Sequence, residues 1–166
     1  MDASQSQVYE RLINASIRFV SYRMRSEKEI RDFLAKTLLR HHTTAPSVEA
    51  HVIERLTELG YVNDDSFAVW WVGQRTGRKS KGARAIRMEL TQKGVDSECI
   101  DRAIREGMTG ERSERELVKA AILKKRESWS KLPALMRKKK LVDYLSRRGF
   151  SSDTIWSVVD DTEETV

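Results

Sequence analysis

A short corner recurs three times in this chain and constrains its fold more than any other feature. It reads IERLTELGYVNDDSF from Ile53, RMELTQKGVDSECI from Arg87 and VDYLSRRGFSSDTI from Val142. In each copy a leucine (Leu56, Leu90, Leu145) lies four residues before a glycine (Gly60, Gly94, Gly149). An apolar residue follows at once (Tyr61, Val95, Phe150), and Asn, Asp or Ser residues come next. Glycine enters the left-handed conformation that ends a helix without the penalty a Cβ brings. The apolar residue closes the cap, and the polar residues open a new helix. Three such corners predict helical units packed in series, each burying part of its face on a neighbour. Their spacing, 34 and then 55 residues, is not that of a tetratricopeptide or ankyrin array.

The chain between the corners also reads as helix, and it holds only two prolines and eight glycines in 166 residues. Tyr9, Leu12, Ile13, Ser16, Ile17, Val20 and Met24 mark a first amphipathic helix. Ser26 and Glu29 form a capping box for a second, whose apolar face is Ile30, Phe33, Leu34 and Leu38. His41 to Ser47 is a predicted loop, and a third helix carries Val48, Val52, Ile53, Leu56 and Leu59. A fourth spans Asp64 to Thr76, with Phe67, Trp70, Trp71 and Gln74 at helical spacing. The fifth turns Ile86 and Leu90 inward, with Ala83 and Met88 beside them, and the sixth carries Cys99, Ile100, Ala103 and Ile104. Ser113 and Glu116 form a second capping box, the eighth helix ends at Arg148, and the ninth holds Ile155, Val158 and Val159.

The stretch GQRTGRKSKGARAIRMELTQKG, Gly73 to Gly94, needs a decision, because its glycines and lysines invite a phosphate-loop reading. That motif requires four residues between its glycines and a lysine directly after the second. Here three residues separate Gly73 from Gly77, and Arg78 precedes Lys79. No aspartate after an apolar strand is placed to hold magnesium, and the preceding tract FAVWWV has helix N-cap chemistry in Asn63 to Ser66. The stretch is therefore a basic connector and helix. Arg75, Arg78 and Lys79 lie on the connector, Lys81 and Lys93 mark the helix ends, and Arg84 and Arg87 share an outward face. A second basic cluster is Arg137, Lys138, Lys139 and Lys140, with Lys131, Arg147 and Arg148 nearby.

Charge points to a partner more than to chemistry. The net charge is +6, but residues 111–150 carry +8 and residues 151–166 carry −5. A basic body with an acidic tip suits a polyanion or an acidic protein surface, although solvated helix faces can look the same. His41, His42 and His51 do not form a zinc set with the single cysteine, Cys99. Asp64-Asp65 and Asp160-Asp161 are paired acids at predicted helix ends, where capping and the helix dipole account for them. No motif of nucleophilic or metal-assisted catalysis is present. The sequence reads as a binding protein without a cofactor, not an enzyme. One cysteine fits a reducing cytoplasm, and neither a signal peptide nor a membrane-spanning run is found.

These residues resemble the RecX family, bacterial regulators of the RecA recombinase. The resemblance is carried by Gly60-Tyr61-Val62-Asn63-Asp64-Asp65 with Phe67-Ala68, by Gly82 to Ile86, and by Glu89-Leu90-Thr91-Gln92-Lys93-Gly94-Val95. Ser26 to Leu34 and Arg147 to Phe150 fit as well, so it runs from about Val8 to Val159. Where the family usually has G-P-x-R-I, this chain has Gly82-Ala83-Arg84-Ala85-Ile86, moving the arginine about 100° around the helix. The resemblance implies an all-α protein of three tandem three-helix units, curved and elongated. Residues 1–60, 61–110 and 111–166 would form the units. It implies binding to the RecA–DNA filament, with inhibition of recombinase and ATPase activity, and the protein is expected to be a monomer. The residues themselves also allow a freestanding nucleic-acid-binding helical protein, whose target is single- or double-stranded DNA or RNA.

Overall fold

The structure, a computed structural model, describes residues 3–40, 46–77 and 80–163. Among these residues it has nine α-helices and no strand. They are α1 (Ala3–Ser21), α2 (Glu27–Arg40), α3 (Pro46–Glu58), α4 (Asp64–Thr76), α5 (Ala83–Gln92), α6 (Ser97–Gly107), α7 (Glu114–Trp129), α8 (Ala134–Arg147) and α9 (Ser152–Glu163). A 3-10 turn, Gly110–Arg112, precedes α7. No helix is long and apolar enough to cross a membrane among the described residues.

Helix starts follow the polar caps. Ser26 N donates to Glu29 Oε2 at 3.4 Å and Glu29 N to Ser26 Oγ at 3.2 Å, which is the reciprocal capping box. Asn63 accepts from Ser66 N at 2.8 Å, Asp96 from Glu98 N at 2.8 Å, and Ser113 from Glu116 N at 3.5 Å. FAVWWV lies inside α4. Several expected positions move, Arg75 among them, which lies in the last turn of α4 and not on the connector. Met24 falls beyond α1, and Pro46 and Ser47 already belong to α3, while residues 41–45 of the expected loop lie outside the described residues. Gln74, Met88 and Leu59 face solvent. The buried stripe of α4 is Phe67, Ala68, Trp71, Val72 and Thr76, which turns Gln74 outward. Met88 stands about 200° around α5 from Ile86, so one stripe of Ile86 and Leu90 suffices for this short helix.

Three separate apolar cores follow one another along the chain. Leu12, Ile30, Leu34, Val48, Val52 and Leu56 belong to the first, built on α1–α3. Phe67, Val72, Ile86, Leu90 and Ile100 belong to the second, on α4–α6. Val118, Leu145, Phe150, Ile155 and Val158 belong to the third, on α7–α9. Each large apolar side chain removed from water contributes about 1.5–3 kcal/mol, so each group of three helices has its own reason to fold. The helix pairs in extensive contact all lie inside a group, with α1 on α3, α4 on α6 and α7 on α9.

The glycine corners take the expected conformation, with φ of +76° at Gly60, +78° at Gly94 and +79° at Gly149. In each the residue after glycine donates to the leucine carbonyl: Tyr61 to Leu56 at 2.8 Å, Val95 to Leu90 at 3.2 Å and Phe150 to Leu145 at 3.3 Å. This is the Schellman cap, and all three leucines are fully buried. The corners are not topologically equivalent, however. Gly94 and Gly149 join the second helix of a group to its third, whereas Gly60 joins α3 to the first helix of the next group. The α6–α7 link has no such corner and ends its helix at Met108 instead. That difference produces the unequal spacing of 34 and 55 residues.

The groups meet through a repeated seam. The N-terminus of α2 meets the α5–α6 corner, where Ser26 Oγ donates to Lys93 O at 2.8 Å and Glu27 N donates to Asp64 Oδ1 at 2.8 Å. The N-terminus of α5 meets the α8–α9 corner in the same way. Gly82 N donates to Arg148 O at 3.0 Å, Arg84 N to Gly149 O at 3.1 Å, and Ala83 N to Glu114 Oε1 at 3.0 Å. Each time, an acid at the start of the next group's first helix caps the second helix of the group before it. At Gly82 the backbones come so close that a Cβ would lie 2.3 Å from Gly149 O.

Gly60 and Gly149 should therefore respond differently to alanine. A Cβ at Gly60 meets nothing within 4 Å, so Gly60→Ala should lose only the left-handed penalty, about 1 kcal/mol. A Cβ at Gly149 would sit 2.4 Å from Ala85 Cβ, so Gly149→Ala should cost about 3 kcal/mol or more. Urea denaturation of the two variants measures both values.

Candidate polyanion-binding surface

The basic stretch divides into cations that build the fold and cations that face outward. Glu89, the one acid between Gly73 and Gly94, sits under the connector on α5. It accepts from Trp71 Nε1 at 2.8 Å, from Arg75 Nε at 2.6 Å, and from Lys81 Nζ. The Arg75 guanidinium also stacks on the Trp71 ring, 3.9 Å from its centroid, and Lys93 Nζ lies 4.4 Å from the same ring. Burial alone would raise the Glu89 pKa, but the bonds from Lys81, Arg75 and Trp71 hold it below the usual range.

Lys93 reaches across the first seam to Glu29 Oε1 at 2.6 Å, and Arg23 grips the same carboxylate at 2.9 and 3.1 Å. Burial opposes the charge of Glu29, yet Arg23 and Lys93 bring its pKa down to about 2. Arg87 pairs with Asp101 of α6. Of the seven predicted cations, Arg75, Lys81, Arg87 and Lys93 thus hold partners within the chain, and Arg78 and Lys79 lie outside the described residues. Arg84 is exposed, and no acid among the described residues pairs with it.

The second seam joins Arg84 to the other basic cluster. Its backbone N–H bonds Gly149 O, which places it beside the α8–α9 corner that follows Arg147 and Arg148. Ala85 rests against Gly149, so Arg84 is the residue of this turn that points away. Arg147 is exposed, while Arg148 lies over the Tyr144 ring at 4.6 Å and donates to Ser80 O at 3.4 Å. Farther along α8, Lys139 and Lys140 are exposed and Arg137 is half-buried. Lys138 instead bonds Asp160 at 2.9 Å and lies 5.5 Å from the Trp156 ring. The second seam thus brings Arg84 of the first cluster beside the C-terminal end of α8, the helix that carries the second.

The paired acids also acquire specific roles. Asp64 and Asp65 stand in the first turn of α4, as the dipole favours, with Asp64 also capping α2 and Asp65 pairing with Arg102. Asp160 and Asp161 lie toward the C-terminal end of α9, where the helix dipole disfavours acids. The dipole account expected for them does not hold: Lys138 and Arg115 balance them instead. Cys99 is half-buried in α6, and burial with the nearby Asp65 pushes its thiol up to about 11, a poor nucleophile. Glu29's part in the seam, beyond its expected capping box, and the structural role of Glu89 were not anticipated from sequence. For Glu89 the signal was present, a lone acid in a run of seven cations.

Comparisons with known proteins agree with the architecture. Family profiles described as "RecX, second three-helix domain" and "RecX, third three-helix domain" match residues 63–104 and 113–159. "Regulatory protein RecX" of Bacillus subtilis is 37% identical over 152 residues, covering 90% of this chain and 54% of that protein. The protein of the same name in Mycolicibacterium smegmatis is 32% identical over 152 residues, covering 90% of this chain and 78% of that one. The chain spans about half the length of the Bacillus and Listeria relatives it matches. A crystal structure of RecX from Lactobacillus salivarius superposes with a TM-score of 0.79 at 23% identity, covering 95% of this chain and 98% of that one.

The depressed Glu29 pKa makes the first seam acid-sensitive. A carboxylate whose folded pKa lies below its unfolded value stabilises the fold at neutral pH. That contribution is lost as pH falls from about 4.5 through about 2. Between pH 5 and pH 2.5 the wild type should lose on the order of 2 kcal/mol more stability than Glu29→Gln. Denaturant titrations at a series of pH values measure the difference.

Proposed function

The chain belongs to the RecX family, and from that membership we propose that it binds the RecA–DNA filament and inhibits its recombinase, strand-exchange and ATPase activities. The observation that supports this reading is the cationic surface crossing from α5 to α8, where Arg84, Arg147, Lys139 and Lys140 face solvent. On this reading the protein acts by occupancy, as a cytoplasmic monomer without cofactor or catalysis. Residues 1–60, 61–110 and 111–166 are its three units, and the α5–α8 surface lies on the second and third. Arg75, Lys81 and Arg87 support that surface by fixing α4, α5 and α6, Lys93 ties their group to α2, and the outward cations meet phosphate or carboxylate on the filament. Two of the outward positions, Arg84 and Lys140, belong to different units, so contact with both requires the second seam.

Charge reversal at Arg84, Arg137, Lys139 and Lys140 tests this. None of the four has an acid partner among the described residues, so helicity and melting should stay nearly unchanged. Inhibition of strand exchange should fall sharply, and the salt above which inhibition disappears should move lower. Competition with excess bare DNA identifies the target: a filament regulator keeps its preference for RecA-coated DNA. A freestanding nucleic-acid binder follows the total DNA instead, and its salt slope changes by about 0.9 for each phosphate that the variant no longer neutralises. Full inhibition by the quadruple variant would exclude this surface.

A further inference from the structure

The two seams repeat the same geometry but are held by different forces. At the second, between the α4–α6 and α7–α9 groups, two neutral main-chain hydrogen bonds run from Gly82 and Arg84 to Arg148 and Gly149. Gly82 and Gly149 are both buried and their backbones touch without an intervening side chain. Met108 packs against both the second and the third core, so apolar burial continues through the link.

At the first seam no such link exists among the described residues. No side chain there is shared between the first and second cores, and Val62 of the connector belongs to the first alone. The equivalent of Gly82 is Ser26, whose backbone N–H turns to Glu29 in its own helix, so only its hydroxyl reaches Lys93 O. Beside the Glu27 N–Asp64 bond, the remaining side-chain link across the seam is ionic, Lys93 to Glu29, with Arg23 of the first group on the same carboxylate. A Cβ placed on Gly94 would meet only side-chain atoms, Lys28 Cβ at 2.8 Å and Cδ at 2.9 Å, whereas one on Gly149 would meet Ala85 backbone N at 2.4 Å as well as its Cβ. A cleft of about 420 Å³ lies beside this joint, lined by Lys28, Asp32, Trp71 and Gln92 among others, so water reaches the ions.

We infer that the α4–α9 part of the chain is one rigid body, and that the α1–α3 group swings on an ionic joint formed by Arg23, Glu29 and Lys93. Salt shortens the reach of charges that touch water, from about 10 Å at 0.1 M to about 3 Å at 1 M; it acts less on a partly shielded pair such as Lys93–Glu29 and leaves buried amide–carbonyl bonds nearly untouched. The joint therefore loosens with ionic strength, or when a competing anion or cation takes one partner, while the second seam stays closed. A swinging first group lets the chain fit targets of different pitch without altering the surface on α5 and α8. The inference concerns the free protein and does not depend on what it binds.

Distance measurement by paired spin labels tests it. Labels at Leu39→Cys and Gln74→Cys report the first seam, and labels at Gln74→Cys and Leu123→Cys the second, both in Cys99→Ala; all three labelled positions are exposed. Raising NaCl from about 0.05 M to about 1 M should broaden the first distribution roughly twofold and leave the second unchanged. Glu29→Gln and Lys93→Gln should give the broad first distribution already at low salt. Gly82→Ala should broaden only the second. A first distribution that stays narrow at high salt and in Glu29→Gln would overturn the joint. Equal broadening of both seams with salt would overturn the rigid α4–α9 body. The salt series needs no change at the seam, so it decides even if a seam variant fails to fold.

Discussion

When a helix stops at a left-handed glycine, its chain turns sharply and leaves main-chain carbonyls facing outward. In this protein those carbonyls, Lys93 O, Arg148 O and Gly149 O, are the acceptors that hold one group of helices on the next. The donors come from the helix starts: N–H groups at the start of α5 at the second seam, and the Ser26 hydroxyl before α2 at the first. Corner and helix start thus satisfy each other, and Asp64 and Glu114 complete the set. Everything else rests on this exchange. It sets the order of the cores, brings Arg84 beside Arg147 and Arg148, and spaces the charged surface along the chain.

The charge distribution changes meaning once the partners are seen. A run of seven cations suggests one polyanion site, but four of them hold Glu29, Glu89 or Asp101. Bridges in water contribute little, whereas those around Glu29 and Glu89 are partly shielded and carry hydrogen bonds as well as charge. Removing either acid would leave cations crowded against Trp71 without a counter-charge. The charges open to a partner are fewer and lie elsewhere, on the outer side of α5 and along α8. Leu135 and Met136, exposed to 81% and 56%, stand on the first turn of α8 beside these cations.

Much of the fold was legible because it is set locally. Apolar spacing, capping boxes and glycine corners each depend on residues within one helical turn, so the helices and their caps could be read directly. The face of a helix was less secure. Gln74 and Met88 each lie two residues from a buried neighbour, and only the packing of α4 and α5 against α6 decides which side is covered. The Asp160-Asp161 pair shows the same limit, since its counter-charges come from α7 and α8.

The sequence by itself determined the helices, the three glycine caps, the basic and acidic regions and, through its resemblance, the RecX family. These follow from local sterics and composition, which need no knowledge of distant residues. Tertiary structure alone decided which corners are equivalent, because Gly60 has the same cap chemistry as Gly94 but a different neighbour. It also divided the cations into paired and outward-facing, since an ion pair depends on distances that helix packing sets. Finally, it made one seam ionic and the other a contact of main chains. A serine and a glycine at the same place, Ser26 and Gly82, differ by one side chain, and only Gly82 lets two backbones meet.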